Sequence, residues 1–235
     1  MKIFRYDITD STNTRAKEYV RQNDCECALF IANAQSAGRG RQGKSFYSPD
    51  STGLYMTYVY KTDMALTDTV YITTAASVAV LEAIKQVSGK SPLIKWVNDI
   101  YLEGKKICGI LCETVTDYKT GRVTHLIIGV GINLETTLFP KEIEDIAGSL
   151  GSVDKDKLSD LIVKNLEKYC INGEPFLETY RQNSLVIGND IVYIKNGVSH
   201  TAHATGIDDN GGLIINENGT VMTLSSGEIS VKINP

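Results

Sequence analysis

Gly38-Arg39-Gly40-Arg41-Gln42-Gly43-Lys44-Ser45 packs three glycines and three cations into eight residues, between two stretches that favour strands. It fits the phosphate-loop pattern G-x-x-x-x-G-K-[ST], which needs a strand before it and a helix after it, because the phosphates rest on the amides of that helix N-terminus. The apolar run at 28–34 supplies the strand. Downstream stand Phe46-Tyr47-Ser48-Pro49-Asp50-Ser51-Thr52-Gly53, with Pro and Gly where a helix has to begin, and then the β-favouring run 54–60. The glycines therefore join strand to strand. This excludes the triphosphatase fold and leaves a flexible basic loop suited to an anion, on a chain whose net charge is -4.

The remaining bulk properties narrow the class. A chain of 235 residues buries one full core with material left for a small second module. A hydrophobic fraction of 42% and a charged fraction of 22% are those of an ordinary soluble domain. The N-terminus lacks an apolar signal core, and no run approaches the roughly 18 apolar residues of a membrane helix, so a cytoplasmic protein is expected. Five cysteines without a CxxC pair, and three histidines without ligand spacing to them, read as reduced apolar fillers. The acidic balance argues against a nucleic-acid binder with a wholly basic surface, and one Gly-Arg-Gly-Arg copy is weak support for an RNA-binding tract.

Patterning predicts a strand at 3–8, then a helix capped by Asp10 or Ser11 and carrying Ala16, Tyr19 and Val20. A long, largely buried helix is expected at 68–87, stopped by Gly89. Short strands at 93–96 and 100–102 flank Asn98-Asp99. Glu103-Gly104 turns the chain into 106–115, and 117–121 turns it again into 123–134. Two more helices are expected at 155–169 and 176–183. From 184 onward come five short strands, at 190–195, 200–207, 212–216, 220–224 and 228–231. They are separated by Asn196-Gly197, Asp209-Asn210-Gly211 and Asn218-Gly219, a texture that suggests a small closed barrel. The predicted domains are 1–184 and 185–235.

Beside the glycine loop stand Asp10-Ser11-Thr12-Asn13, Lys95-Trp96-Val97-Asn98-Asp99, a stretch from Lys105-Lys106 through Gly109-Ile110-Leu111 to Glu113, Gly129-Val130-Gly131-Ile132-Asn133, and Gly227-Glu228-Ile229-Ser230. In content and order these resemble the biotin–protein ligases over nearly the whole chain. The upstream winged helix-turn-helix of repressor-type members is not seen, so the resemblance is to the monofunctional type, with no DNA binding expected. It implies an α+β fold like that of class II aminoacyl-tRNA synthetases, a mixed sheet flanked by helices, with a C-terminal SH3-like barrel after it. It also implies activation of biotin with ATP and Mg²⁺ to biotinyl-5′-AMP and pyrophosphate, then transfer to a lysine of a biotin carboxyl carrier domain. A free strand edge allows two copies to pair as a homodimer.

That chemistry brings a carboxylate up to a phosphate, so it needs fixed cations and exclusion of water. By resemblance, Arg39, Gly40 and Arg41 belong to the loop over biotin and adenylate, and Lys106 holds the biotin carboxylate, while Lys105 reads as a solvated hairpin lysine. Ser11, Thr12 and Gln35 match the ureido contacts, with Asn13 among the biotin-binding residues, although Ser11 also suits a helix cap. Trp96 is either a wall for the biotin tail or simple core. Arg41, Lys44, Phe46, Lys95, Asn98 and Asn133 fall on the ATP side. Asp99 suits either Mg²⁺ or acceptance of the proton of the incoming lysine. Arg41, Lys106 and Asp99 are the catalytic candidates. Two positions depart from the family pattern: Val97 stands for a proline, which should free the turn before Asn98, and Lys44 for an arginine, which loses bidentate phosphate geometry. Lipoate–protein ligases, and a non-enzymatic regulator that binds biotinyl-AMP, are the rival readings.

Overall fold

A computed structural model describes residues 1–64, 69–195, 197–225 and 230–233. Asp68, Asn196 and the Gly227-Glu228-Ile229 part of the C-terminal motif lie outside the described residues. The larger unit is a seven-stranded mixed sheet in the order β1-β2-β3-β7-β6-β5-β4. β1 (Lys2–Thr9) and β2 (Cys27–Gln35) are parallel and joined through helix α1 (Thr12–Gln22), while β3 (Gly53–Met64) is antiparallel to β2. β7 (Val123–Asn133) pairs β3, β6 (Lys105–Thr116) pairs β7, and β5 (Asp99–Leu102) and β4 (Leu93–Lys95) complete the sheet, all antiparallel.

Period-two alternation divides the strands between the two faces. Phe30, Val59 and Ile127 join Ala16 and Val20 of α1 in one cluster, whereas their neighbours Leu29, Ile31, Tyr58, Leu126 and Ile128 belong to the main core. That core takes in α2 (Thr69–Ser88), whose Ala75, Ala76, Val78, Ala79, Val80 and Leu81 are all buried; small residues on every side let the helix sink between the sheet, α3 (Lys155–Leu166) and α4 (Leu177–Gln182). After α3 the chain widens into a π turn at Glu167–Ile171, where the sequence pattern predicts an unbroken helix.

The C-terminal strands β8 (Asp190–Lys195), β9 (Val198–Ile207), β10 (Leu213–Glu217), β11 (Thr220–Leu224) and β12 (Ser230–Ile233) form an antiparallel sheet in the order β11-β10-β9-β8-β12. No ladder joins β11 to β12 among the described residues. Val186, Ile191, Tyr193, Leu213, Ile215 and Leu224 share one apolar cluster with the larger unit. The bridge between Ile94 and Ser184, with a 2.7 Å bond from Leu185 N to Ile94 O, ties the start of this region to β4.

Candidate ligand-binding and catalytic site

The ends of β2, β5, β6 and β7, the start of α1 and the glycine loop surround one cavity of about 520 Å³, a size that takes a drug-sized ligand. Every candidate read from the sequence lines it: Ser11, Thr12, Asn13, Gln35, Arg39, Gly40, Arg41, Lys44, Phe46, Lys95, Trp96, Asn98, Asp99, Lys106 and Asn133. Among the described lining residues, five are cations and one is a carboxylate. On a chain of net charge -4 this concentration of positive charge suits an anion.

The loop carries backbone hydrogen bonds of its own. Phe46 N donates to Gly38 O at 2.9 Å, Arg39 bridges Ser45, and Gly40 N donates to Lys44 O at 2.7 Å around a single turn at Arg41–Gly43. No helix comes after it, which removes the phosphate-loop reading. Arg39 crosses to Glu113 at 2.9 Å, and Lys17 reaches the same Glu113 oxygen at 2.6 Å. Burial opposes ionisation of Glu113, but hydrogen bonds from Lys17 and Asn13 and the charges of Lys17 and Arg39 overcome it and hold the carboxyl below its ordinary value. Arg41 donates to Asn98 Oδ1 at 3.1 Å, and Asn98 Nδ2 donates to Ile110 O at 2.8 Å. Burial lowers the Arg41 pKa without neutralising the guanidinium.

At the start of α1, Thr12 N donates to Gln35 Oε1 at 2.9 Å, and Thr12 Oγ1 approaches the same oxygen at 3.2 Å. Ser11 occupies the N-cap position of α1, but its side chain makes no capping bond, so the capping role belongs to its backbone position alone. The carboxylate of Asp10 takes the amide hydrogen of Ser11 at 2.6 Å and pairs Arg15 at 2.8 Å. Asn13 lines the cavity, yet its amide is used within the protein. Nδ2 donates to Glu113 at 3.0 Å and contacts Leu111 O at 3.4 Å, and Oδ1 accepts from the buried Thr57 at 2.6 Å.

Lys106 Nζ lies 2.7 Å from Asp99 Oδ1, which places two of the three catalytic candidates in one ion pair at the cavity wall. Lys95 sits over the Tyr101 ring, 5.2 Å from its centroid, and burial pushes the Tyr101 hydroxyl up to about 12. Lys105 is not the solvated lysine expected of a hairpin. Its ammonium donates to the carbonyls of Asp145 and Glu144, because the segment after β7 folds back over the start of β6. That segment brings Phe139, Ile143, Ile146 and Ala147 to the cavity. The sequence reading assigned it no role; the recurrence of apolar residues at 139, 143 and 146 within a polar stretch was the available signal.

Val97 does not free its turn. The Val97 carbonyl accepts from Ser77 Oγ at 3.0 Å and from the Tyr180 hydroxyl at 3.2 Å, so α2 and α4 hold the turn that carries Asn98 and Asp99. Trp96 combines its two readings: it lines the cavity, while its Nε1–H donates to Gly211 O at 3.0 Å in the C-terminal region.

Two glycines of the Gly129-Val130-Gly131 run make room for side chains of this chain. A Cβ on Gly131 would lie 2.6 Å from Phe46 Cε1, and one on the facing Gly109 would lie 3.2 Å from Phe46 Cε2, so the Phe46 ring rests on a floor of two paired glycines. Asn133 is 5% exposed; its Nδ2 donates to Gly148 O at 3.0 Å and its Oδ1 has no partner among the described residues. A buried orphan acceptor costs stability unless a ligand supplies a donor. Burial raises the thiols of Cys108 and Cys112, the latter to about 12, which leaves neither suited to act as a nucleophile. No group of three or more metal-ligating side chains occurs among the described residues, and no helix among them is long and apolar enough to cross a membrane.

Residues 6–133 match the Biotin/lipoate A/B protein ligase family, and residues 191–232 match the Biotin protein ligase C terminal domain. A Bacillus subtilis protein named bifunctional ligase/repressor BirA is 33% identical over 239 residues, covering 96% of this chain and 73% of its own length. A biotin–[acetyl-CoA-carboxylase] ligase of Mycobacterium tuberculosis is 28% identical over 220 residues, covering 88% of this chain and 79% of that protein. The structure of the Aquifex aeolicus biotin protein ligase in complex with biotin and ATP superposes with a TM-score of 0.83 at 26% identity, covering 99% of each chain.

Proposed function

The chain belongs to the Biotin/lipoate A/B protein ligase family, and from that premise we propose that it is an ATP-dependent biotin–protein ligase. In the proposed reaction, biotin and ATP give biotinyl-5′-AMP and pyrophosphate, and the biotinyl group then passes to the ε-amine of a carrier-domain lysine with release of AMP. The observation that carries this reading is the charge and polarity of the cavity. Five cations and a set of hydroxyl and amide groups line the same cavity, and Met56, Trp96, Ile110 and Val130 supply apolar wall.

The work divides among the lining residues by their chemistry. The hydroxyl and amide set suits a cyclic urea, which offers two N–H donors and one carbonyl acceptor. Lys106 would exchange Asp99 for the biotin carboxylate and then steady the mixed anhydride; Arg39, Arg41, Lys44 and Lys95 offset the phosphate charge. The orphan Asn133 Oδ1 is a ready acceptor for an exocyclic amine such as that of adenine, with Phe46 and Phe139 as aromatic walls. Mg²⁺ prefers one or two carboxylates together with phosphate oxygens, so Asp99, once Lys106 turns to the biotin carboxylate, would hold a Mg²⁺ that neutralises triphosphate charge, while Asn98, whose Oδ1 accepts from Arg41, orients that guanidinium. Released from Lys106, Asp99 also suits the proton of the incoming lysine.

Pyrophosphate release from ATP, measured with biotin and with lipoate as alternative acids, tests the reading. Release with biotin and none with lipoate is expected. Release with lipoate alone would overturn it.

A further inference from the structure

We propose that Ser48, which is absent from the cavity lining, is a positioning residue that fixes the amide of Gln35 and thereby the polarity of the ureido end; this rests on the ligase reading above. Ser48 is 5% exposed and stands where the glycine loop leads toward β3. Gln35 Nε2 donates to Ser48 Oγ at 2.9 Å, and Ser48 Oγ donates to Phe46 O at 3.0 Å. On the other side, Gln35 Oε1 accepts from Thr12 N at 2.9 Å.

Both ends of this chain of bonds are backbone groups with one possible role each. A carbonyl only accepts, so Ser48 spends its single proton on Phe46 O and must accept from Gln35. A backbone amide only donates, so Thr12 requires the oxygen of Gln35. The two constraints select the same amide orientation. A flip would set Nε2 against the Thr12 N–H and Oε1 against a hydroxyl whose proton is already used. The selected orientation leaves one Nε2–H of Gln35 for the cavity that this residue lines, a donor matched to a urea carbonyl.

The packing around the relay supports a built arrangement. A Cβ on Gly38 would lie 2.7 Å from Ser48 Oγ and 3.2 Å from Gln35 Nε2, and nearer still to Phe46 O, so the relay fills the space this glycine leaves open. Because the relay starts from Phe46 O, it links the orientation of the ureido donor to the glycine-loop backbone.

Steady-state adenylation by the full chain, with biotin and ATP varied separately, tests the assignment. Ser48→Ala is expected to raise the KM for biotin roughly 10-fold while kcat and the KM for ATP stay within about twofold. Ser48→Cys, with a weaker donor, should fall between wild type and Ser48→Ala. In a Gln35→Ala background, Ser48→Ala should add nothing, since the group it orients is gone. An unchanged biotin KM in Ser48→Ala, an equal loss in ATP use, or additive effects in the double variant would overturn the proposal. A wild-type chain that makes no adenylate from biotin would instead fail the ligase reading, before any variant is compared.

Discussion

Gly129→Ala perturbs the polar end of the site from behind. The added Cβ would lie 2.8 Å from Asn13 Cγ and 2.9 Å from its Nδ2, and closer still to its Oδ1. Ordinary carbon contacts begin near about 3.4 Å, so Asn13 has to move by more than about half an ångström. It has little freedom to do so. Asn13 is 4% exposed and is held by Thr57 at 2.6 Å and Glu113 at 3.0 Å. Overpacking costs about 1–3 kcal/mol, and a disturbed hydrogen bond adds about 1 kcal/mol, so a loss of about 2–4 kcal/mol is expected. For a chain of this size that lowers Tm by roughly 5–15 °C. Calorimetry of wild type, Gly129→Ala, Asn13→Ala and the double variant tests the cause. Removing Asn13 removes the clash, so the double variant should be no less stable than Asn13→Ala alone. Additive losses, or a Gly129→Ala Tm within a degree of wild type, would refute the reasoning.

Lys106→Ala should slow adenylate formation by about 10²–10³-fold, with ATP affinity changed less than about threefold, by stopped-flow and equilibrium binding respectively; equal losses would reassign the lysine to the nucleotide. A chain ending at Ser184 loses the Gly211 carbonyl that Trp96 donates to and the Leu185 bond to β4, so it should lose cooperative unfolding and ATP turnover, and a fully active truncation would refute that coupling. The Asp10 pKa is lowered to about 2, chiefly by its hydrogen bond from Arg15. A depressed carboxyl stabilises above its unfolded pKa and loses that contribution as pH falls through the folded value. Asp10→Asn should therefore cost up to about 1 kcal/mol at pH 7 after solvent screening, and the difference from wild type should shrink between about pH 4 and pH 2 in urea titrations. A constant difference across that range would refute the assignment.

The strands and helices were legible from apolar runs bounded by turn residues. The near-continuous apolar run of β7 and the apolar residues around α2 are local signals, and the Pro and Gly after the glycine loop were enough to exclude a helix there. Strand order was not legible, since nothing local says that β7 inserts between β3 and β6. The site residues were recognisable as short motifs, but their partners were not. Glu113 holds Arg39 across 74 positions, Gly211 receives Trp96 from the C-terminal region, and Ser48 lies behind Gln35 without facing the cavity. Lys105 and Val97 were misread for the same reason: hairpin and turn chemistry describe a local backbone, whereas carbonyls and hydroxyls brought from distant elements decide what those residues do.

The central claim is that this cavity activates biotin and hands it to a lysine. Incubating the protein with labelled biotin, ATP, Mg²⁺ and a biotin carboxyl carrier domain, beside a carrier whose target lysine is replaced by arginine, measures that step. The account predicts ATP-dependent label on the lysine-bearing carrier and none on the replaced one, with one AMP released for each biotin transferred. An unlabelled carrier in the presence of active ATP and biotin, or label that forms only with lipoate, would contradict it.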